Sequence, residues 1–345
     1  MTNKAMYMTG LRKIEMREID IPVPNEDQVL IKLEYVGICG SDVHYLEHGR
    51  IGDFIVDGDF ILGHECSGVV VEIGNRVKRL KVGDKVALEP GVTCGQCEFC
   101  KSGKYNLCPD VEFLATPPYH GCLMNYIAFP ENMAFKLPEN VSTKEGALVE
   151  PLAVGLHAAS QGNIRLGDKV VILGAGTIGL VTLLACKACG ATDVTVVDII
   201  EKRLEVAKRL GATRVINAKN ENAVEVIAGL TDGAGADKVI ETAGSEFTIK
   251  QSPYLVKRGG TIVLVGLAAK SIIDFDFMQI MTKEVEIKSV FRYRNLYPVA
   301  IEAIADGKID IKGIVSHEFA FEDSSKAFDF VIDNKNDVVK AVIKI

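Results

Sequence analysis

The sequence has no excess of positive charge: 39 lysines and arginines stand against 46 aspartates and glutamates, a formal net charge of −7. That excludes a basic footprint for nucleic acid or an anionic membrane. Residues 1–10 lack an apolar core of signal-peptide length, so the chain is expected to stay in the cytoplasm. One uncharged run, 170–186, raises the question of a membrane span. It is shorter than the ~20 residues a spanning helix needs, and it carries Gly174, Gly176 and Gly179, so a buried strand followed by a buried helix accounts for it better. There is no repeat at a fixed period and no linker rich in proline or serine. What remains is a chain of 345 residues, 48% apolar and 25% charged, which is the composition of a globular protein of about two domains.

The two parts have different rhythms. Up to about residue 152, short β-branched runs at 29–36, 67–74, 85–88 and 125–129 are bounded by Gly, Pro, Asn or Asp, the pattern of an irregular β barrel or sandwich. From residue 153, strand-length apolar runs recur at 169–174, 193–198, 214–217, 236–242, 260–266 and 284–290. Amphipathic stretches of helix length, such as 201–210 and 223–230, lie between them. Alternation of this kind predicts βαβ units, and six strands predict a doubly wound parallel sheet. The chain closes on a strand-like run at 338–345.

The first strand of the second part runs into Gly174-Ala175-Gly176-Thr177-Ile178-Gly179. A glycine fingerprint between a strand and a helix seats a dinucleotide pyrophosphate on the helix N-terminus. The next strand ends at Asp198. A carboxylate there accepts the ribose hydroxyls of NAD and repels a 2′-phosphate; Arg203 is read as packing near the adenine. The bland alternative is that the glycines only turn the chain and Asp198 caps the following helix.

Nine cysteines are present, and Cys94, Cys97, Cys100 and Cys108 fall close together. Four thiolates with no open position imply a structural zinc site, able to order a lobe, 91–109, that holds few apolar residues. An iron–sulfur cluster is the rival, but the bacterial ferredoxin run spaces its last cysteine differently. Cys66, Cys122, Cys186 and Cys189 sit in apolar settings and read as packing, and His48, His120, His157 and His317 as ordinary surface or core histidines.

Several stretches then carry a resemblance across essentially the whole chain: GICGSDVHY (37–45), LGHECSG (62–68), EPG (89–91), YNLCPD (105–110), FLATPP (113–118), EPL (150–152) and VFRYRN (290–295). The sequence resembles the zinc-dependent medium-chain dehydrogenase/reductase superfamily, and within it the sorbitol (L-iditol) and xylitol dehydrogenases. The resemblance implies an α/β fold: a GroES-like catalytic domain from 1–152 and 287–345, with a Rossmann NAD-binding domain at 153–286. It implies two zinc ions per subunit, a catalytic one at Cys39, His64 and Glu65 and a structural one at the four clustered cysteines. Glu150 is expected either to bind the catalytic zinc directly or to hold its water, and which of Glu65 and Glu150 is the third direct ligand stays open. Ser41 and His44 match a proton relay, with a water on Glu150 as the preferred exit.

The polyol-binding positions match Tyr45, Thr116, Glu150, Arg292 and Tyr293. Val265, Gly266, Leu267, Val290, Phe291 and Arg292 match cofactor-binding positions, together with Gly174, Gly176, Thr177, Ile178, Gly179, Asp198 and Arg203. The implied reaction is reversible oxidation of a secondary hydroxyl of a sorbitol- or xylitol-type polyol to the ketose, in a homotetramer. L-Threonine 3-dehydrogenase and 2,3-butanediol dehydrogenase are the enzymatic alternatives, and a crystallin-like dinucleotide-binding protein is the non-enzymatic one.

Overall fold

The computed structural model describes residues 2–345. The chain divides into two units, one made of residues 1–150, 297–307 and 315–345, the other of 151–296 and 308–314.

The first unit is built on a sheet whose strands run in the order Ala134–Lys136, Lys85–Leu88, Glu65–Ile73, Gln28–Gly37, Lys340–Lys344 and Val315–Ala320, with Tyr126–Pro130 also paired to Gln28–Gly37. Strand Gln28–Gly37 is central because its inward residues Val29, Ile31 and Leu33 are fully buried while Lys32 points to solvent, the alternation that a half-buried strand requires. The C-terminal strand returns to it antiparallel, Val342 opposite Gly37 and Ile343 opposite Val36. The last residues of the chain therefore stand beside the segment that begins at Gly37.

The second unit is a six-stranded sheet, parallel throughout, in the order Arg214–Asn217, Asp193–Asp198, Lys169–Leu173, Ala236–Glu241, Val256–Leu264, Glu286–Ser289. In chain order this is the doubly wound arrangement with its switch point between Lys169–Leu173 and Ala236–Glu241, the crevice where such sheets bind dinucleotides. Val171, Leu173, Val239 and Ile262 fill its core.

The structure differs from the sequence expectation in two places. The fifth strand starts at Val256, not 260: its register against Ala236–Glu241 shifts between Ala236 and Lys238. The pair Gly259-Gly260 lies inside this irregularity, with Gly259 at φ 65°. Residues 287–296, and with them 151–152 and 308–314, group with the parallel sheet instead of the β-rich unit. The reason is that Glu286–Ser289 forms the sixth strand and the Val290 amide donates to the Leu264 carbonyl. Among the described residues no helix is long and apolar enough to cross a membrane.

Candidate active site and metal centres

Gly37 ends the central strand, and helix Gly40–His48 begins just after Cys39, its N-cap. The turn between them aims Cys39 toward the start of the neighbouring strand Glu65–Ile73, where His64 and Glu65 sit. One ligand atom from each of Cys39, His64 and Glu65 lies within 4.8 Å of the others. Glu65 needs its space kept clear: a Cβ on Gly37 would stand 2.0 Å from Glu65 Oε2.

Two residues that sequence reasoning missed complete this centre. Asp42, buried in the first turn of helix Gly40–His48, accepts the Cys39 amide at 3.0 Å and the Gly63 amide at 2.9 Å. Its Oδ1 lies 3.6 Å from His64 Nδ1. It thereby fixes the turns that present both ligands. Lys340, 1% exposed, pairs with Glu65 and donates to the Ile38 carbonyl at 2.8 Å. The signal for Asp42 was its place three residues after Cys39; Lys340 gave none, being one of two lysines in an otherwise apolar terminal strand.

The residues fit a cation. Glu65 Oε2 is met by Lys340, but His64 Nδ1 is buried with Asp42 3.6 Å away and no hydrogen bond within range, and a thiol, an imidazole and a carboxylate converging in a buried place cost free energy unless something else binds them. Burial alone would lower the His64 pKa, yet Asp42 and Cys39 hold it well above the ordinary histidine value. Burial likewise opposes the Lys340 charge, which Glu65, Cys39 and Glu150 restore and hold above its usual range. A pocket that draws positive charge this strongly, offering sulfur, nitrogen and oxygen donors, suits zinc with a position left open.

Glu150 is buried in the first turn of helix Val149–Gln161. It does not belong to the close group of ligand atoms, though its charge acts on Lys340 and on the buried Glu89. Tyr45 is buried with its ring 6.1 Å from Phe60. Ser41 is half-buried on the same helix, and His44 is exposed with Nδ1 2.9 Å from the Arg50 carbonyl. Thr116 is half-buried in a turn in which its amide bonds the Phe113 carbonyl at 3.0 Å; Ala115 beside it has φ 54°.

The four-cysteine lobe stands apart in character. Cys94, Cys97, Cys100 and Cys108 place their sulfurs within 4.8 Å of one another. Cys94 Sγ lies 3.9 Å from Cys100 Sγ and 3.5 Å from Cys108 Sγ, near the ~3.8 Å edge of a tetrahedron with Zn–S of ~2.3 Å. The amides of Cys97 and Cys100 donate to the sulfurs of Cys94 and Cys97. Without a cation the thiols diverge: backbone amides bring Cys94 down to about 7 while burial pushes Cys108 up to about 12. Four thiolates together therefore call for a cation. Cys66, Cys122 and Cys186 are buried as expected, but Cys189 is exposed at the end of helix Thr177–Ala188.

In the second unit the glycine loop has the geometry a pyrophosphate needs. Gly174 has φ 103°, and a Cβ on Gly179 would stand 1.9 Å from the Gly174 carbonyl, so strand and helix meet only through glycine. Space beside Gly176 is open up to the Arg203 guanidinium, 4.0 Å away, and no side chain caps the helix start at Thr177 and Ile178. Asp198 accepts the amides of Ala175 at 2.6 Å, Ile199 at 2.7 Å and Ile200 at 2.9 Å. It fixes the loop as well as facing the crevice end of its strand.

Across the switch point, buried Glu241 accepts the amides of Ala243 and Gly244. The Val265 and Gly266 amides bond its carbonyl, and Leu267 is exposed beyond them. Val290 continues from the sixth strand; Arg292 has φ 56° and lies over the Phe291 ring at 4.9 Å, while Tyr293 is buried.

The alcohol dehydrogenase GroES-like domain model matches residues 25–139 and the zinc-binding dehydrogenase model residues 177–306. An uncharacterized zinc-type alcohol dehydrogenase-like protein of Escherichia coli is 53% identical over 99% of this chain and 97% of its own. The sorbitol dehydrogenase of Bacillus subtilis is 43% identical, covering 99% of this chain and 96% of its own. A zinc-binding dehydrogenase from Sinorhizobium meliloti bound to NADP superposes with TM-score 0.92 at 31% identity over the whole of both chains. With two ligand sets, a Rossmann sheet and full-length likeness in agreement, the chain belongs to the zinc-dependent medium-chain dehydrogenases, of the sorbitol/xylitol dehydrogenase type.

Proposed function

We propose that the protein oxidises a secondary hydroxyl of a sorbitol- or xylitol-type polyol to the ketose, with NAD as hydride acceptor. The observation that carries the reading is the single-thiolate ligand set Cys39, His64 and Glu65 in the same unit as the buried carboxylate of Glu150. A zinc ion held there would act as a Lewis acid on the substrate oxygen. Cys39, His64 and Glu65 would hold it, Asp42 orients the first two, and Lys340 offsets the carboxylate charge. Glu150 takes the hydroxyl proton, directly or through water, ahead of the exposed Ser41–His44 route.

The further hydroxyls of a polyol must each be paired once desolvated. Tyr45, Thr116 and Glu150 are the polar groups of the first unit that match polyol-binding positions; Arg292 and Tyr293, which match further ones, belong to the second. The strained backbone at Ala115 and Arg292 belongs to the two stretches that carry these residues, as expected where backbone strain serves a site. For the cofactor, the Sinorhizobium relative is bound to NADP. The choice rests on the residue ending the second strand, here Asp198, whose charge disfavours a 2′-phosphate.

The test is initial-rate oxidation of sorbitol, xylitol, L-threonine, 2,3-butanediol and 2-propanol with NAD and with NADP, before and after chelation. The reading expects sorbitol or xylitol with NAD to give the highest kcat/KM and chelation to remove it. A preference for threonine or butanediol would replace the substrate class, and dinucleotide binding without turnover would leave a non-enzymatic protein.

A further inference from the structure

The second unit carries a cavity that the reaction above does not use. Its volume is about 340 Å³, and it lies where helix Ala223–Leu230, the turn 233–235, the end of helix Glu246–Leu255 and the last residue of helix Phe277–Lys283 meet. Strands Ala236–Glu241 and Val256–Leu264 both begin here. The glycine loop follows Leu173, at the opposite, C-terminal end of the same parallel sheet. Dinucleotides bind at that C-terminal end, so the cavity is no part of the cofactor crevice.

The lining is cationic in a chain whose net charge is −7. Lys257, Arg258 and Lys283 line it beside Tyr254, Ile227 and Ala228 supply an apolar wall, and no carboxylate lines it. Each polar side chain is fixed by a contact. Lys283 Nζ donates to the carbonyls of Pro253 at 2.8 Å and Val256 at 3.0 Å, and an Arg258 guanidinium nitrogen to the Thr282 carbonyl at 2.7 Å. The Tyr254 hydroxyl donates to Asp276 at 2.5 Å, and Lys257 pairs with Asp237. Closing the ends of two helices accounts for the carbonyl contacts. It leaves the charges of Arg258 and Lys283 unmatched, since among the described residues neither pairs with a carboxylate. The two cations also oppose each other: burial lowers the Lys283 pKa, and the Arg258 guanidinium lowers it further.

We propose that this cavity binds a phosphate monoester, its dianionic head between Arg258 and Lys283 and its carbon body against Ile227, Ala228 and the Tyr254 ring. The inference does not depend on the dehydrogenase reading. Backbone carbonyls hold both cations in place before any ligand arrives, which lowers the ordering cost of binding. A guanidinium presents parallel N–H donors to phosphate oxygens, and an ammonium adds a point charge. Lys257, already offset by Asp237, contributes less. A cavity of this volume falls at the small end of small-molecule pockets, with room for a head group and a small body.

The test is calorimetric titration of the zinc-loaded, NAD-saturated protein with phenyl phosphate, which has no secondary hydroxyl to oxidise and finds the glycine loop filled. One equivalent should bind. Arg258→Ala and Lys283→Met should each weaken binding by about tenfold or more, the worth of one hydrogen bond to a charged group. Arg258→Lys, which keeps the charge, should fall between Arg258→Ala and wild type. Inorganic phosphate and phenol, each lacking half of the ligand, should bind more weakly than the ester. NAD affinity measured on every variant should stay at the wild-type value. No binding, or equal binding by wild type and both charge-removing variants, would overturn the proposal. Inorganic phosphate binding as tightly as phenyl phosphate would overturn the assignment to an ester. Crystals soaked with phenyl phosphate read the position without any variant: the head group should lie within hydrogen-bond reach of Arg258 and Lys283. Density for the ester only at the metal centres or the glycine loop would contradict the inference.

Discussion

The two metal centres of this chain are opposites in construction. The four-cysteine lobe takes all its ligands from residues 94–108, three of them only half-buried, and its donors are held by turns within the same segment. The other centre takes Cys39 from one end of the central strand and His64 and Glu65 from the start of its neighbour, and depends on Asp42 and on Lys340 from the last strand. The first is a local motif that a short loop can satisfy. The second exists only when the sheet is assembled, so its ion reports on the fold and is tuned by charges the ligands do not include.

This contrast is sharpest in single-ligand variants. Cys39→Ser should remove one ion and leave the four-thiolate ion in place. Polyol oxidation should fall by at least about a hundredfold, since the Lewis acid supplies several kcal/mol at tenfold per ~1.36 kcal/mol. Metal analysis alongside initial rates reads both. Cys97→Ser should do the reverse for stability: the lobe ion is lost and folding weakens by upwards of about 4 kcal/mol, the range in which metal loss belongs, measured as Tm. Equal behaviour of the two variants would break the distinction between the centres.

Lys340→Met leaves the Glu65 charge buried without its partner, which costs about 3–5 kcal/mol in such pairs. The expected result is a lower Tm for the metal-depleted protein than for depleted wild type, with the difference narrowing when zinc is restored. Asp42→Asn gives up one of the two amide bonds at Cys39 and Gly63, since its Nδ2 cannot accept, and weakens the field on His64; it should cost roughly 10- to 100-fold in affinity for the ion of this centre, read by competition with a chelating dye. Arg292→Ala is the smallest effect and lies outside the metal ligands. It should raise KM for sorbitol by about tenfold, one unpaired hydroxyl's worth, with little change for 2-propanol; equal losses would mean Arg292 does not read the distal hydroxyls.

Which features were legible in the sequence follows from the same contrast. The cysteine spacing and the glycine loop before Thr177 are contiguous, so residue type and interval sufficed. The strand pattern of the parallel sheet was also plain, because buried parallel strands read as continuous apolar runs. Asp42 and Lys340 were not assigned, because each is a single charged residue whose role appears only when a distant partner meets it: His64 and Glu65 respectively. The sequence predicts a fifth strand starting at 260, whereas the fold begins it at Val256 and carries it through an irregular stretch, since glycine in a strand marks a bulge. The edge strand Glu286–Ser289 is among the six strands that the sequence predicts, although it is exposed throughout; what fails is the domain boundary at 287 that the resemblance implies, which cuts through a strand that the pairing with Thr261 to Leu264 keeps in the parallel sheet.

The account's central claim is that alcohol chemistry belongs to the assembled centre at Cys39, His64 and Glu65. Stepwise chelation of the fully loaded protein, with ions per chain and sorbitol-dependent NADH formation followed together, tests it most directly. The account predicts that activity disappears with the first ion withdrawn, while the four-cysteine ion remains, and returns when one equivalent of zinc is added. Full activity in protein holding only the four-cysteine ion would contradict it.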